Sequence, residues 1–219
     1  MLRRSLFPRP VGVTLGRNLM DEVVESAKSG SCVVYPTSTL PALGCIPEKF
    51  ALDELFSIKR RSASSPVSLG VADIDQAKEF VEVPDDVLHI LESFPRGSLS
   101  IILRAHEKMD ARLGGENVAI RVVSHPKARK LLRRTGALTA TSANISGEEP
   151  LNDCVEAASA ISSPEKEIVA LEGNCEGGAP STLIAWHTVC GTPESLSIEV
   201  VREGKISSED VLSWWKRVT

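Results

Sequence analysis

The apolar positions of this chain change their period repeatedly, and that change most narrows what it can fold into. Leu19, Met20, Val23, Val24 and Ala27 form a stripe at helical spacing, with Asn18 placed to cap it and Gly30 to stop it. Residues 32–35 then read as a strand. Further helices are predicted near 50–59, from Pro84, where proline suits a first turn, over 126–134, near 153–161 and from Ser208. Strands are predicted at 67–72, 99–104, 118–122, 137–141, 167–171, 182–186 and 198–201. Elements in this mixed order bury their apolar faces as an α/β fold: one domain with a twisted sheet of parallel and antiparallel pairs, flanked by helices.

Length and composition agree, since 219 residues with 42% apolar content can form one sizeable core, or at most two small ones. The expected division is an N-terminal extension over 1–10 and one domain over 11–219. Arg3, Arg4, Arg9 and Arg17 precede the first acid, Asp21, which gives the N-terminus a faint transit-segment character. A strand predicted at 11–14 competes with that reading, and the expected location is cytoplasmic. No apolar run approaches bilayer length, so no membrane partner is expected.

Cys32, Cys45, Cys154, Cys175 and Cys190 are odd in number and lack a C-x-x-C pair, which suits reduced, packed thiols and no metal site. The histidines are equally scattered, and His89 falls on the polar side of a helix. A net charge of −4 supplies no general attraction for nucleic acid, so any RNA contact would be weak and local. The densest basic patch, Lys127, Arg129, Lys130, Arg133 and Arg134, reads first as a solvated helix face and second as an RNA-docking surface. Trp214 and Trp215 read as core packing in preference to base stacking.

Chemistry concentrates where strands end. TATSANISGEE, from Thr139 to Glu149, runs from a β-prone stretch into hydroxyls, an amide and open backbone N–H groups suited to phosphate oxygens. CVVYPTSTLPALG, from Cys32 to Gly44, ends a buried strand in a Thr-rich turn, and Lys59, Arg60 and Arg61 close a helix. Lys59 and Arg61, two apart, reach one anion if the chain is extended there; alternatively they decorate a helix C-terminus. PSTLIAW and VREG add hydroxyls and an arginine beside later strands. The glycine-bearing segment from Glu172 to Pro180 flanks the same crevice as a candidate lid.

In this order the motifs strongly resemble the YrdC/Sua5 family of threonylcarbamoyl-AMP synthases, over roughly residues 11–210. The resemblance implies a YrdC-like fold and condensation of L-threonine, bicarbonate or CO₂ and ATP with release of pyrophosphate. Its K-x-R pair matches Lys59 and Arg61, and its S-x-N pair matches Ser142 and Asn144, which together imply a nucleotide-handling tetrad. By the same resemblance Ser65 and Arg202 would touch ATP, while Thr39, Arg121 and Ser181 would hold L-threonine. Read from sequence alone, Arg121 could also be a surface strand charge, and Thr39 and Ser181 could be turn caps. Mg²⁺ is expected with ATP, held through phosphate and water, and a separate tRNA-modifying transferase is expected downstream.

The threonine side departs from the family pattern. Where PTDTxYGLG is usual the chain has PTSTLPALG, so Ser38, Pro41 and Ala42 replace Asp, Tyr and Gly. Gly70 stands where many members have His, Asn117 where many have Thr, and Trp186 where an Asp is usual. Three readings follow: a short-form threonylcarbamoyl-AMP synthase, a same-fold enzyme carbamoylating another amine, and a binding module retaining affinity for ATP or RNA.

Overall fold

A computed structural model describes residues 18–190 and 197–219; the N-terminal basic segment and the strand predicted at 11–14 lie outside the described residues. Chain order is α1 (Leu19–Lys28), β1 (Val33–Tyr35), β2 (Ala42–Gly44), α2 (Lys49–Lys59), β3 (Leu69–Val71), α3 (Ile74–Ala77), α4 (Asp86–Ser93), β4 (Leu99–Arg104), β5 (Asn117–Val122) and α5 (Pro126–Thr135). It continues through β6 (Leu138–Thr139), β7 (Thr141–Ser142), α6 (Cys154–Ile161), β8 (Val169–Ala170), β9 (Thr182–Ala185), β10 (Glu199–Arg202) and α7 (Ser208–Val218). Asn18 caps α1 by accepting from the Met20 amide, and the stripe Met20, Val23, Val24 and Ala27 is buried. The two elements without a sequence counterpart, β2 and α3, are too short to show a period.

The strands form two sheets, both flanked by helices. One has the order β7-β2-β1-β8 and the other β10-β9-β4-β5-β3-β6. Parallel pairs (β1 with β8, β3 with β5, β4 with β9) coexist with antiparallel ones, the mixed pattern expected from the sequence. The single strand predicted at 137–141 is divided: β6 pairs with β3 in the larger sheet and β7 with β2 in the smaller. Ala140 lies at the crossing and donates its amide to Ser68 O at 2.8 Å. Where one chain leaves one sheet for another, the two sheets open a crevice between them.

Apolar side chains gather in two clusters. The larger contains Leu52, Leu55, Leu69, Ile101, Val118 and Ile184 and closes at the C-terminus on Trp186, Trp214 and Trp215. Trp186 stacks edge-on with Trp215 at 5.4 Å between ring centroids and donates its indole N–H to Asp86. The tryptophans are therefore core residues, and full burial of such a side chain contributes about 2–3 kcal/mol. The smaller cluster packs α1 against α5 through Val23, Val24, Ala27, Leu131 and Leu132. All five cysteines are free thiols, and His89 is exposed, as the sequence suggested. Among the described residues no helix is long and apolar enough to cross a membrane.

Candidate functional site

Alternation along the strands decides which side chains meet. In β5, Val118 and Ile120 point into the core, which turns Asn117, Ala119 and Arg121 to the other face, where a cavity of about 350 Å³ opens. Ile102 of β4 and Leu183 of β9 line the same floor. A register shift in β10 between Val200 and Arg202 places Val201 and Arg202 in the wall side by side, the usual effect of a bulge. The facing wall comes from the smaller sheet and the crossing: Thr39, Leu40, Pro41 and Ala42 on one side, Ala140, Thr141 and Ser142 on the other. Pro41 O accepts from the Ala143 amide at 2.9 Å, tying the two wall segments together.

The cavity is cationic. Arg61, Arg121 and Arg202 line it, and among the described residues its lining includes no aspartate or glutamate. Each guanidinium is held by neutral oxygens. Arg61 donates from Nε to Ser65 O (2.6 Å) and from Nη2 to Pro66 O (3.1 Å), and Arg202 donates from Nη2 to Ser181 O (2.7 Å). Arg121, only 6% exposed, donates to Gly97 O from both Nε (3.0 Å) and Nη2 (2.9 Å) and to Thr39 Oγ1 from Nη2 (2.9 Å). Ser38 Oγ, at 3.5 Å from Nη2, stands where the family pattern has a carboxylate. Burial lowers the pKa of all three arginines, that of Arg121 to about 10, and Arg61 lowers Arg202 further. Of the three, Arg121 is buried, Arg61 half-buried and Arg202 exposed, and the uncompensated charge of Arg121 is the one that an arriving anion stabilises most.

Lys59 is placed differently from Arg61. The chain between them is not extended: Arg60 takes a left-handed conformation (φ 50°, ψ 42°), costing about 1–2 kcal/mol for a residue with a side chain. The turn sends Arg61 to the cavity and leaves Lys59 inside, 1% exposed. Lys59 Nζ donates to Ser142 O (2.5 Å) and Asn144 O (2.8 Å), and its backbone carbonyl accepts from the Ser146 amide. Burial, and then the charge of Arg61, bring its pKa down to about 8. Lys59 thus holds the Ser142–Asn144 loop by its backbone, an arrangement a solvated helix end does not make.

Of the residues singled out in the sequence, Thr39, Arg61, Arg121, Ser142, Ser181 and Arg202 line the cavity, whereas Lys59, Ser65 and Asn144 do not. Ser65 is exposed and contributes its carbonyl to Arg61. Asn144 donates from Nδ2 to Ile145 O and Glu148 O, and its Oδ1 is buried without a hydrogen-bond partner among the described residues. Ser181 shares a hydrogen bond with Ser100 at 2.8 Å, and Thr39 is 1% exposed. Ser68, Thr141 and the Gly97 carbonyl also shape the site; Thr141 falls within the hydroxyl-rich TATSANISGEE segment, whereas nothing local in the sequence marks Ser68.

At Gly70, opposite Arg121 in the β3–β5 register, an added Cβ would lie 2.7 Å from the Tyr35 hydroxyl. That hydroxyl donates to Thr139 O at 2.8 Å, so glycine here matches a tyrosine that fills the space. The segment from Glu172 to Pro180 is pinned at the rim by Gly177 N to Thr39 O (2.8 Å) and Cys175 N to Asn152 O (2.9 Å). The basic helix α5 spends most of its charge locally: Arg133 pairs with Asp73, Arg134 with Asp21, Arg129 bonds Ala72 O and Lys127 bonds Glu172 O.

Comparison with known proteins gives a consistent result. The Sua5/YciO/YrdC family model, described as "Telomere recombination", matches residues 25–204. A protein of Idiomarina loihiensis named threonylcarbamoyl-AMP synthase is 34% identical over 143 residues, covering 62% of this chain and 76% of its own. A Mycobacterium tuberculosis relative is 31% identical over 193 residues, 86% of this chain and 85% of its own. Among solved structures, E. coli YciO superposes with a TM-score of 0.71 at 25% identity, covering 86% of this chain and 90% of that one. P. abyssi Sua5, crystallised with L-threonine, superposes at 0.74 with 24% identity over 88% of this chain, which spans 56% of the Sua5 chain. The ordered motifs, the mixed two-sheet fold and a family match over most of the length together establish that this chain belongs to the Sua5/YciO/YrdC family.

Proposed function

We propose that this chain is an enzyme that makes threonylcarbamoyl-AMP from L-threonine, bicarbonate or CO₂, and ATP, releasing pyrophosphate. The observation that carries the reading is a cavity that, among the described residues, is lined by three guanidinium groups and no carboxylate, beside a hydroxyl-rich strand end. Two anionic substrates, a triphosphate and an amino-acid carboxylate, suit such a site. In the reaction the threonine nitrogen attacks CO₂ and loses a proton, giving a carbamate. A carbamate oxygen then attacks the α-phosphorus as its bond to pyrophosphate breaks. Fixed cations stabilise the charge on the departing pyrophosphate, and no covalent nucleophile is required.

Roles follow from position. Arg121, whose Nε and Nη2 are already engaged, offers its Nη1 edge to the threonine carboxylate, with Thr39 and Ser181 beside it. Arg61 and Arg202 meet the phosphates near Ser142, while Lys59, Ser65 and Asn144 keep the nucleotide-side loops in shape. Among the described residues no three of the His, Cys, Asp or Glu side chains cluster as a metal site. That lining fits an Mg²⁺ carried by phosphate oxygens and water, which would neutralise phosphate charge. The product would pass to a separate tRNA-modifying transferase. Pyrophosphate release that depends on ATP, bicarbonate and L-threonine together tests the proposal; release with a different amine but none with L-threonine, or nucleotide binding without turnover, would overturn it.

A further inference from the structure

The Arg61 segment is closed mostly upon itself. Arg61 N bonds Phe56 O at the end of α2, Ser65 N bonds Ser62 O, and the Arg61 guanidinium folds back onto Ser65 O and Pro66 O. Among the described residues, the backbone amides of 60–67 make one hydrogen bond to a partner outside this loop and α2, from Val67 N to Arg112 O at 2.9 Å. The side chain of that same Arg112 reaches the loop's other root. Its Nη1 contacts Asp53 Oδ1 (2.5 Å), its Nη2 contacts Lys49 O (3.2 Å), and its guanidinium lies over the Phe56 ring at 5.6 Å. Asp53, Lys49 and Phe56 all belong to α2, and Phe56 O is the acceptor of the Arg61 amide.

Asp110 fixes the orientation of this fork. It accepts from Arg112 Nε (2.9 Å) and Nη2 (2.7 Å) and also caps the backbone amide of Arg112 (2.9 Å), so the side chain and carbonyl of Arg112 are set by one carboxylate. The pair is well shielded, with side-chain exposures of 12% and 25%. The turn that carries Arg112 runs on into Leu113 and Gly114, which line the cavity.

From this geometry we infer that Arg112 is a positioning residue for ATP: it brackets the Arg61 loop at both ends, by its guanidinium on α2 and by its carbonyl on Val67. Arg112 does not line the cavity. It acts by lowering the entropy lost when Arg61 is ordered against phosphate, so its removal weakens phosphate binding without touching the amino-acid side. A lysine at 112 keeps one charge beside Asp110 but loses the fork that reaches Asp53 and Lys49 O together.

The inference rests on the nucleotide assignment, and its test separates the two. Hydrogen exchange is measured across 60–67 in wild type, Arg112→Lys and Asp53→Asn, alongside the affinity for inorganic triphosphate and the KM values for ATP and L-threonine. Asp53, whose side chain is 61% exposed, is a substitution that spares the core. Faster exchange at 61–67 in Arg112→Lys is expected, with triphosphate affinity lowered about tenfold, the ATP KM raised by a like factor and the threonine KM unchanged. Asp53→Asn should show the same pattern at smaller amplitude. Unchanged exchange in Arg112→Lys, or equal rises in both KM values, overturns the positioning role. A wild type that binds triphosphate but releases no pyrophosphate, with faster exchange in Arg112→Lys, overturns the synthase reading and leaves the bracket standing.

Discussion

The two sides of the cavity hold their arginines by different means. Arg121 comes from a central strand, is almost wholly enclosed, and is locked by Gly97 O and Thr39. Arg61 comes from a loop in which residues 62–66 are exposed, and its anchors are carbonyls of that same loop. The first clamp exists before any ligand arrives; the second depends on a loop that must be kept in shape from outside. A small, invariant group such as an amino-acid carboxylate suits the rigid side, and a long triphosphate suits the adaptable one.

The largest expected effect comes from breaking the rigid side. Arg121→Lys keeps a charge but loses the fork, and should lower threonine-dependent kcat/KM by about three orders of magnitude. Triphosphate affinity in the same variant checks that the other side survives. On the adaptable side Arg61→Ala should cost about 2–4 kcal/mol of transition-state stabilisation, two to three orders of magnitude in rate. Unchanged pyrophosphate release in Arg61→Ala would remove Arg61 from the site.

Pro41 and Ala42 line a wall without the aromatic ring usual in the family, and the expected consequence is that a substrate hydroxyl is read less strictly. Valine, which replaces the hydroxyl with a methyl, should therefore be rejected by shape alone, about ten- to two-hundredfold, and not by the orders of magnitude that a hydroxyl-bonding pocket imposes. Side-by-side pyrophosphate assays with a relative carrying PTDTxYGL decide this, and equal strictness would show that the departures are neutral.

The smallest effect is a proton. With its pKa lowered from 10.5 to about 8, Lys59 binds fewer protons in the folded than in the unfolded chain between those values, so this group makes stability rise with pH across that window. Anion binding has the opposite sign, because a nearby phosphate favours the charged amine. Triphosphate binding at pH 8 should take up part of a proton, and affinity should fall as pH rises beyond it. Calorimetry in buffers of differing ionisation enthalpy measures the uptake, which Lys59→Met should abolish.

The amino-acid sequence by itself determined the α/β class, most helices and strands to within a few residues, and the segments that carry the chemistry. These are local properties: the spacing of apolar residues, caps such as Asn18, and hydroxyls clustered at strand ends. The division of 137–141 between two sheets was not legible there, because sheet membership depends on partners far along the chain, β3 for one half and β2 for the other. Lys59 and Arg61 make the same point. Two apart in sequence, they read as one phosphate clamp, yet the left-handed turn at Arg60 and the carbonyls of Ser142 and Asn144 send one inward and the other to the cavity. Arg112 carried no signal at all, since its role rests on Asp110, α2 and Val67 meeting around it. Local spacing specifies elements because it acts over a few residues; which side chains share a cavity is set by long-range packing, and only the tertiary structure decided it.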